Sequence, residues 1–327
     1  MSNDRIVTVT LNPAIDLTAG LDRLTPGEVH RAKTAACNAG GKGVNVAACL
    51  ADWGANVAAS GVLGADNAHV FELLFRDKHV ADGFLRLPGE TRTNVKLAEP
   101  GGRTTDINLP GLPIEPDLLP LLNARIQDLS PALILLSGSL PEGLPSSTWA
   151  DMAAHWNRRG VRLLLDISGE PLAEALSRDT LPFAVKPNRD ELAAVTGAIP
   201  DKAALLERAQ ALHRKGIELV AVSLGGDGAL FVSSKGALHA SPLKVDVVSS
   251  VGAGDAMVAG LCAGLDEEAG LERLARLSTA FAAGKLRSIG PHLPPKPDIE
   301  ALAAAVSIAA AEDWAGEQPH RLGPKKP

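Results

Sequence analysis

Between residues 248 and 260 the chain reads Val248-Ser-Ser-Val-Gly-Ala-Gly-Asp-Ala-Met-Val-Ala-Gly260. Three small residues, Gly252, Ala253 and Gly254, stand before an acid, Asp255, and the apolar run that follows reads as a helix. The first N–H groups of a helix have no partner inside it and lie at the positive end of its macrodipole. Small residues let an anion approach those groups, so the segment has the makings of an anion hole. A carboxylate in the same turn would repel a resting phosphate. It suits a base that takes a proton from an attacking hydroxyl while the amides hold a phosphoryl group in transit. These residues point to phosphoryl transfer to an alcohol. They also fit a plain turn, because the dipole alone favours Asp there and Gly-x-Gly-Asp is common in turns.

Other segments carry residues of the same kind. Gly40-Gly-Lys-Gly-Val-Asn45 opens a helix early in the chain, and Gly40 and Gly41 would allow a ligand close to the backbone, with Lys42 and Asn45 as donors. It is not a Walker loop, which would need Gly where Ala36 stands and Ser or Thr where Gly43 stands. Nor does Gly252-Ala-Gly254 complete a dinucleotide fingerprint, since Met257 takes the third glycine's place. Asp16, in Asn12-Pro-Ala-Ile-Asp16, could accept hydrogen bonds from sugar hydroxyls or be an ordinary turn aspartate. Arg92, between Thr91 and Thr93, could grip a phosphate through paired N–H groups, with Lys96 and Arg103 weaker candidates. Asn188 and Glu191 form a capping-box pair, and could equally stand near the metal-bound phosphates of a nucleotide. Ser223-Leu-Gly-Gly-Asp-Gly228 reads as a hairpin turn or as a loop along nucleotide phosphates.

These residues need a scaffold, and its pattern is legible. Short apolar runs at 6–11, 57–62, 133–137, 162–166, 183–185 and 219–224 predict buried strands. Longer periodic stretches at 36–50, 69–78, 147–159, 191–196, 202–215 and 254–264 predict helices. Alternation of the two predicts an α/β fold with a mostly parallel, doubly covered sheet. Ligands bind such sheets beyond the C-terminal strand ends, where Ser137-Gly-Ser139, Asp166, Lys186-Pro-Asn188 and Ser223 all fall. Two turn-rich segments, 16–33 and 90–110, interrupt the alternation and are expected to form a small β lid. Its exposed edges would invite a second copy, so a homodimer through the lid is expected.

Composition excludes several classes. Of 327 residues 46% are hydrophobic and 21% charged, as expected of a soluble globular chain with a sizeable core. A net charge of −6, with no basic stripe, argues against a nucleic-acid partner. There is no Tyr, with only six Phe and four Trp, so no stacking platform for bases is expected. Cys37, Cys49 and Cys262 lack metal-like spacing and read as reduced thiols. No signal-peptide layout and no spanning apolar stretch is seen, so no membrane partner and a cytoplasmic location are expected.

Taken in order, Asn-Pro-x-x-Asp, Gly-Gly-Lys-Gly-x-Asn, Thr-Arg-x-Asn, Ser-Gly-Ser-Leu-Pro, Lys-Pro-Asn-x-x-Glu, Ser-Leu-Gly-x-x-Gly and Val-Gly-Ala-Gly-Asp closely resemble the PfkB (ribokinase-like) carbohydrate kinases, from about residue 6 to 289. The resemblance implies a three-layer α/β/α kinase domain over 1–311, with the lid segments inserted; the polar, Pro-ended composition of 312–327 predicts a mobile tail. It implies Asp255 as base and the amides of Gly252, Ala253 and Gly254 as anion hole. It implies a sugar phosphate held by Asp16, Gly40, Gly41, Lys42, Asn45, Arg92, Asn94 and Ser139. ATP would lie along Lys186, Asn188, Ser223, Leu224, Gly225, Gly226, Asp227, Gly228 and Gly254, with Glu191 placing Mg²⁺. Thr10-Leu-Asn-Pro13, Thr93-Asn-Val-Lys-Leu97 and Val245-Asp-Val-Val-Ser249 are most similar to members that phosphorylate D-fructose 1-phosphate at the 6-hydroxyl. Tagatose 6-phosphate or fructose 6-phosphate as substrate, and a non-catalytic sugar-phosphate sensor, are the alternatives. Ser250 and Ala256 stand where many relatives carry Thr and Ser, and His30 and Arg31 occupy a lid region that varies among subfamilies.

Overall fold

The structure, a computed structural model, describes residues 5–100, 103–249, 251–288, 290 and 292–316. The chain opens with strand β1 (Arg5–Thr10), leaves for a hairpin of β2 (Ala14–Gly20) and β3 (Thr34–Gly40), and returns through helix α1 (Lys42–Trp53) to β4 (Val57–Gly64). Helix α2 (His69–Lys78) leads to β5 (Ala81–Leu87), and a second excursion forms β6 (Thr93–Ala98) and β7 (Thr104–Asn108). Then come α3 (Leu119–Asp128), β8 (Pro131–Ser137), α4 (Thr148–Asn157), β9 (Arg162–Asp166), α5 (Gly169–Ser177), β10 (Ala184–Val185), α6 (Arg189–Thr196), α7 (Lys202–Arg214) and β11 (Leu219–Ser223). A hairpin of β12 (Ala229–Ser233) and β13 (Gly236–Ala240) precedes α8 (Ala253–Asp266), α9 (Leu271–Leu286), α10 (Lys296–Ala305), β14 (Ile308–Ala310) and α11 (Ala311–Gly316).

The main sheet has the order β14-β13-β12-β11-β10-β9-β8-β1-β4-β5, parallel from β11 to β5 and antiparallel at the other edge. Alternate strand residues face opposite sides, so each strand feeds two cores. On β8, Leu133 and Leu135 belong to one core shared with α1, α8 and α9, while Ile134 and Leu136 belong to the other, shared with α3, α4 and α7. This is the α/β/α layering that the alternation predicts. The chain runs from β1 to β4 on one side and later to β8 on the other. The strand order therefore reverses at β1, where such sheets open a crevice at their C-terminal edge.

Two close approaches fix the helices that end in that crevice. A Cβ on Gly43 would come within 2.3 Å of Thr10 Oγ1, so the start of α1 lies directly on the end of β1. A Cβ on Gly260 would come within 2.6 Å of Ser278 Cα, so α8 and α9 pack with little between their backbones. Helix α8 is buried along its whole length from Ala256 to Leu265, which explains its near-continuous run of apolar and small residues.

The smaller sheet, ordered β3-β2-β6-β7, is built from the two excursions. Its register aligns Asn38, Asp16, Asn94 and Asn108 in one row and Cys37, Leu17, Val95 and Ile107 in the next. Adjacent rows face opposite ways, so the sheet has one polar and one apolar face.

Three expectations need correction. Residues 36–50 are not one helix: 34–40 pair with β2 as β3, and α1 begins only at Lys42. The alanines of Ala35-Ala-Cys-Asn-Ala39 favour a helix locally, and cross-strand pairing with β2 overrides that preference. The expected lid segment 16–33 covers only part of its hairpin, because the returning strand lies beyond it. The tail is not loose from Glu312. Residues 311–316 form α11, and Trp314 stacks on His239 at 4.4 Å with Lys202 Nζ over its ring at 4.9 Å. Residues 317–327, the rest of that expected tail, and Ser250 lie outside the described residues. Among the described residues no helix is long and apolar enough to cross a membrane.

Candidate active site

Helices α1 and α8 both begin at the C-terminal edge of the sheet, and each starts on a glycine with positive φ: Gly41 (108°) and Gly252 (79°). Neither residue at the helix start offers a side-chain hydrogen bond to the first turn. Their leading amides are therefore open to an incoming acceptor. At Gly41 the Cβ position is taken, since a Cβ there would meet Pro13 Cα at 3.0 Å. Gly254 has open space around its Cβ position, so the first turn of α8 is accessible.

The two helix starts are joined directly. Asn45 Nδ2, on the first turn of α1, donates to Asp255 Oδ2 at 2.8 Å, on the first turn of α8. Part of Asp255 still meets solvent, but its carboxyl is enclosed. Burial, followed by the nearby Asp166 charge, pushes its pKa up to about 6, against the pull of the Asn45 bond, Lys42 and Lys186. A carboxylate in that range is ionised at neutral pH yet basic enough to accept a proton.

Asp166, the last residue of β9, is buried and lies between two ammonium groups. Lys42 Nζ is 3.2 Å from one of its oxygens and Lys186 Nζ 3.1 Å from the other. Burial alone would raise the Asp166 pKa, but Lys186 and Lys42 together hold it below the ordinary carboxylate value. The converse holds for Lys42: burial works against its charge, and Asp166, Asp255 and Glu191 raise its pKa above the usual value. Lys285, near the end of α9, is the further cation here, with its Cε near the Cβ position of Gly252. Burial lowers its pKa.

On the lid side, Asn94 Nδ2 donates to Asp16 Oδ1 at 3.2 Å, and burial raises the Asp16 pKa despite that bond and the charges of Lys96 and Arg92. A Cβ on Gly40 would strike Asp16 Oδ2, so the polar face of the lid abuts the approach to α1. Asn12 Nδ2 donates to Ser139 Oγ at 3.1 Å, bringing the ends of β1 and β8 together. The Arg92 guanidinium donates to the carbonyls of Pro13, Asn12 and Leu109. It straps the lid to the loop after β1, using three of its five N–H groups.

On the other flank, Asn188 caps α6 in a complete capping box with Glu191, whose Oε2 accepts from the Asn188 N–H at 2.8 Å. Asn188 also bridges to Ser223, and the Ser223 N–H donates to the Pro187 carbonyl at 3.1 Å, so these two loops lie side by side. The stretch from Leu224 to Gly228 is the turn of the β11–β12 hairpin, closed by the Leu224 N–H on the Gly228 carbonyl at 2.9 Å. The hairpin reading of that segment therefore describes its backbone. Gly225 and Gly226 leave open space where a side chain would stand, whereas Gly228 packs tightly against Ala240. Asp227 offers its carbonyl to the His239 ring at 2.8 Å.

Most of the residues singled out in the sequence thus lie along the C-terminal edge of the sheet from β1 to β11, whereas Lys96 and Arg103 pair within the lid with Asp106 and Glu99. In the sequence Asp166 reads only as a strand end, although a charged residue closing a buried apolar run is a signal for a site residue. The strap made by Arg92 and the Asn12–Ser139 bond had no sequence signal, since both depend on which loops meet.

Comparison with known proteins gives a coherent result. The model of the pfkB family carbohydrate kinases matches residues 8–298. The chain is 51% identical to 1-phosphofructokinase of Xanthomonas campestris pv. campestris, covering 93% of this chain and 98% of that protein. It is 42% identical to 1-phosphofructokinase of Rhodobacter capsulatus, covering 93% and 97%. Its fold is similar to the crystal structure of phosphofructokinase-2 from Escherichia coli in complex with potassium, at a TM-score of 0.85, 29% identity and coverage of 92% and 98%.

Proposed function

Since the chain belongs to the pfkB family of carbohydrate kinases, we propose that it transfers the terminal phosphoryl group of ATP to the 6-hydroxyl of D-fructose 1-phosphate, giving fructose 1,6-bisphosphate and ADP. The observation that carries this reading is the Asn45–Asp255 bond between two open helix starts. It joins the proposed base to the amide donors of both helix starts, with Lys42 on the same turn as Asn45.

Asp255 takes the proton of the 6-hydroxyl as its oxygen forms a bond to the terminal phosphorus. The bond from that phosphorus to the bridging oxygen breaks, and ADP leaves with the electron pair. The amides of Gly252, Ala253 and Gly254 face the charge that spreads over the transferring group, which is most of what such catalysis requires. Asp16, Asn94, Gly40, Gly41, Lys42, Asn45, Arg92 and Ser139 hold the sugar phosphate. The two N–H groups of Arg92 not spent on carbonyls are available to its phosphate. Lys186, Asn188 and the turn from Ser223 through Gly228 line the nucleotide. Open space at Gly225, Gly226 and Gly254 supports that placement.

Among the described residues no cluster of three or more acidic, His or Cys side chains could hold a metal alone. Mg²⁺ is commonly held by one or two carboxylates with phosphates and water, and Glu191 fits that manner, since its capping bond uses one oxygen. When bound it supplies neutralising charge to the nucleotide phosphates. The reading places the chain in the cytoplasm, the compartment of ATP. A homodimer through the apolar lid face of Leu17, Cys37, Val95 and Ile107 is part of it; Ile107 is 47% exposed in the single chain.

The test is ADP release with Mg-ATP, comparing kcat/KM for fructose 1-phosphate, fructose 6-phosphate, tagatose 6-phosphate and free fructose. A clear preference for fructose 1-phosphate is expected. Preference for a 6-phosphate would move the chain to a sister activity, and no turnover with any would leave a sugar-phosphate sensor.

A further inference from the structure

Asp166 has no role in the chemistry above, yet it is the most constrained charge in the site. It is 1% exposed at the end of a central strand. It makes no hydrogen bond that satisfies a backbone group and caps no helix; its oxygens face Lys42 and Lys186 at 3.2 and 3.1 Å. These two lysines come from opposite flanks. Lys42 opens α1 beside the lid, on the sugar side, and Lys186 follows β10 two residues before Asn188, on the nucleotide side. The Lys42 side chain is 36% exposed and has room to swing outward, whereas that of Lys186 is 6% exposed. Without the carboxylate between them the two cations would repel each other, and the more exposed one would move.

Resting on the kinase reading, we propose that Asp166 is a positioning residue that holds Lys42 and Lys186 on either side of the path of the phosphoryl group, so that each substrate meets a cation already in place. Each Asp166 oxygen faces one ammonium group, Oδ2 that of Lys42 and Oδ1 that of Lys186. Preorganised charge acts on the transition state without reorganising during the reaction. Asp166 also acts through space on Asp255, which Lys42 on α1, Lys186 after β10 and Lys285 on α9 face as well. Removing the Asp166 charge therefore makes Asp255 easier to ionise.

The experiment compares wild type with Asp166→Asn and Asp166→Glu in steady-state kinetics over pH, Mg²⁺ titration and thermal melting. For Asp166→Asn, kcat is expected to fall at least about 100-fold, the range of a lost preorganised donor, and KM to rise for both ATP and fructose 1-phosphate. The acidic limb of kcat/KM is expected to move to lower pH, which a merely structural role would not produce. Asp166→Glu keeps the charge but displaces the lysines at the cost of one buried methylene, so it should melt only a few degrees below wild type, keep the limb and still lose kcat. The second variant decides the matter if the first does not fold. Near-normal kcat in either folded variant would overturn the proposal, as would an unmoved acidic limb in Asp166→Asn. A loss in Asp166→Asn restored by raising Mg²⁺ would overturn it in favour of a metal ligand. Absence of wild-type turnover on every sugar phosphate would overturn the kinase reading and this proposal with it, whereas normal wild-type turnover with indifferent variants would overturn this proposal alone.

Discussion

Asp255→Asn should make the protein more stable while nearly abolishing its activity. The carboxyl has an ordinary value of 3.8 and is pushed up to about 6 in the folded chain, chiefly by burial and the Asp166 charge. A group with a raised folded pKa binds its proton more tightly when folded. Stability is therefore lost as pH rises from about 4 to about 6, and the loss persists at neutral pH. The shift of about 2 pKa units corresponds to about 3 kcal/mol, and about 1–3 kcal/mol is expected because part of the residue meets solvent. The Asn variant carries no charge at any pH, and its side-chain oxygen can still accept from Asn45. Its melting temperature at pH 7.5 should exceed that of wild type by roughly 1.5–4.5 °C. The advantage should shrink as pH falls below 6 and vanish near pH 4. In parallel, kcat should drop about 10²–10⁴-fold, the usual worth of a general base, with nucleotide affinity nearly unchanged. Paired melts at pH 4.5 and 7.5 and single-turnover kinetics check both halves. A variant less stable than wild type at pH 7.5, or equally stabilised at both pH values, would refute the reasoning about the enclosed charge. Retained turnover would refute the base.

Further outcomes are expected. In wild type, kcat/KM should fall about tenfold per pH unit below about 6, and Asn45→Ala should move that limb upward because the Asn45 bond favours the ionised base; a pH-rate series on both proteins checks this. Arg92→Ala should raise KM for fructose 1-phosphate well above any change for free fructose, whereas equal rises would mean that its three carbonyl bonds are its whole contribution. Trp314→Ala should destabilise the fold by about 3–5 kcal/mol, since the ring is 7% exposed and stacked on His239; denaturant unfolding measures it, and a change below about 1 kcal/mol would show that α11 is dispensable.

Much of this molecule is written locally. Apolar runs such as Leu133–Leu136 are short and bounded by Pro and Gly, which favours buried strands over helices, and their alternation with amphipathic stretches points to parallel pairing and two covered faces. The Gly252–Asp255 turn declares its chemistry because small residues, a helix start and an acid must coincide there. The ordered series of short motifs identifies the family, since each is a contiguous piece of loop. What the sequence could not determine is what depends on partners distant in the chain. Ala35–Ala39 is a strand only because β2 lies beside it. Trp314 is buried only because the antiparallel edge brings His239 beneath it. Asp166 reads as a strand end until the folded sheet sets it between Lys42 and Lys186, 124 residues earlier and 20 later. The pKa of Asp255 belongs to that assembly as well. Its type and place in the turn are local, but the burial and charges that set its basicity come from four separate segments of chain and exist only once they have packed together.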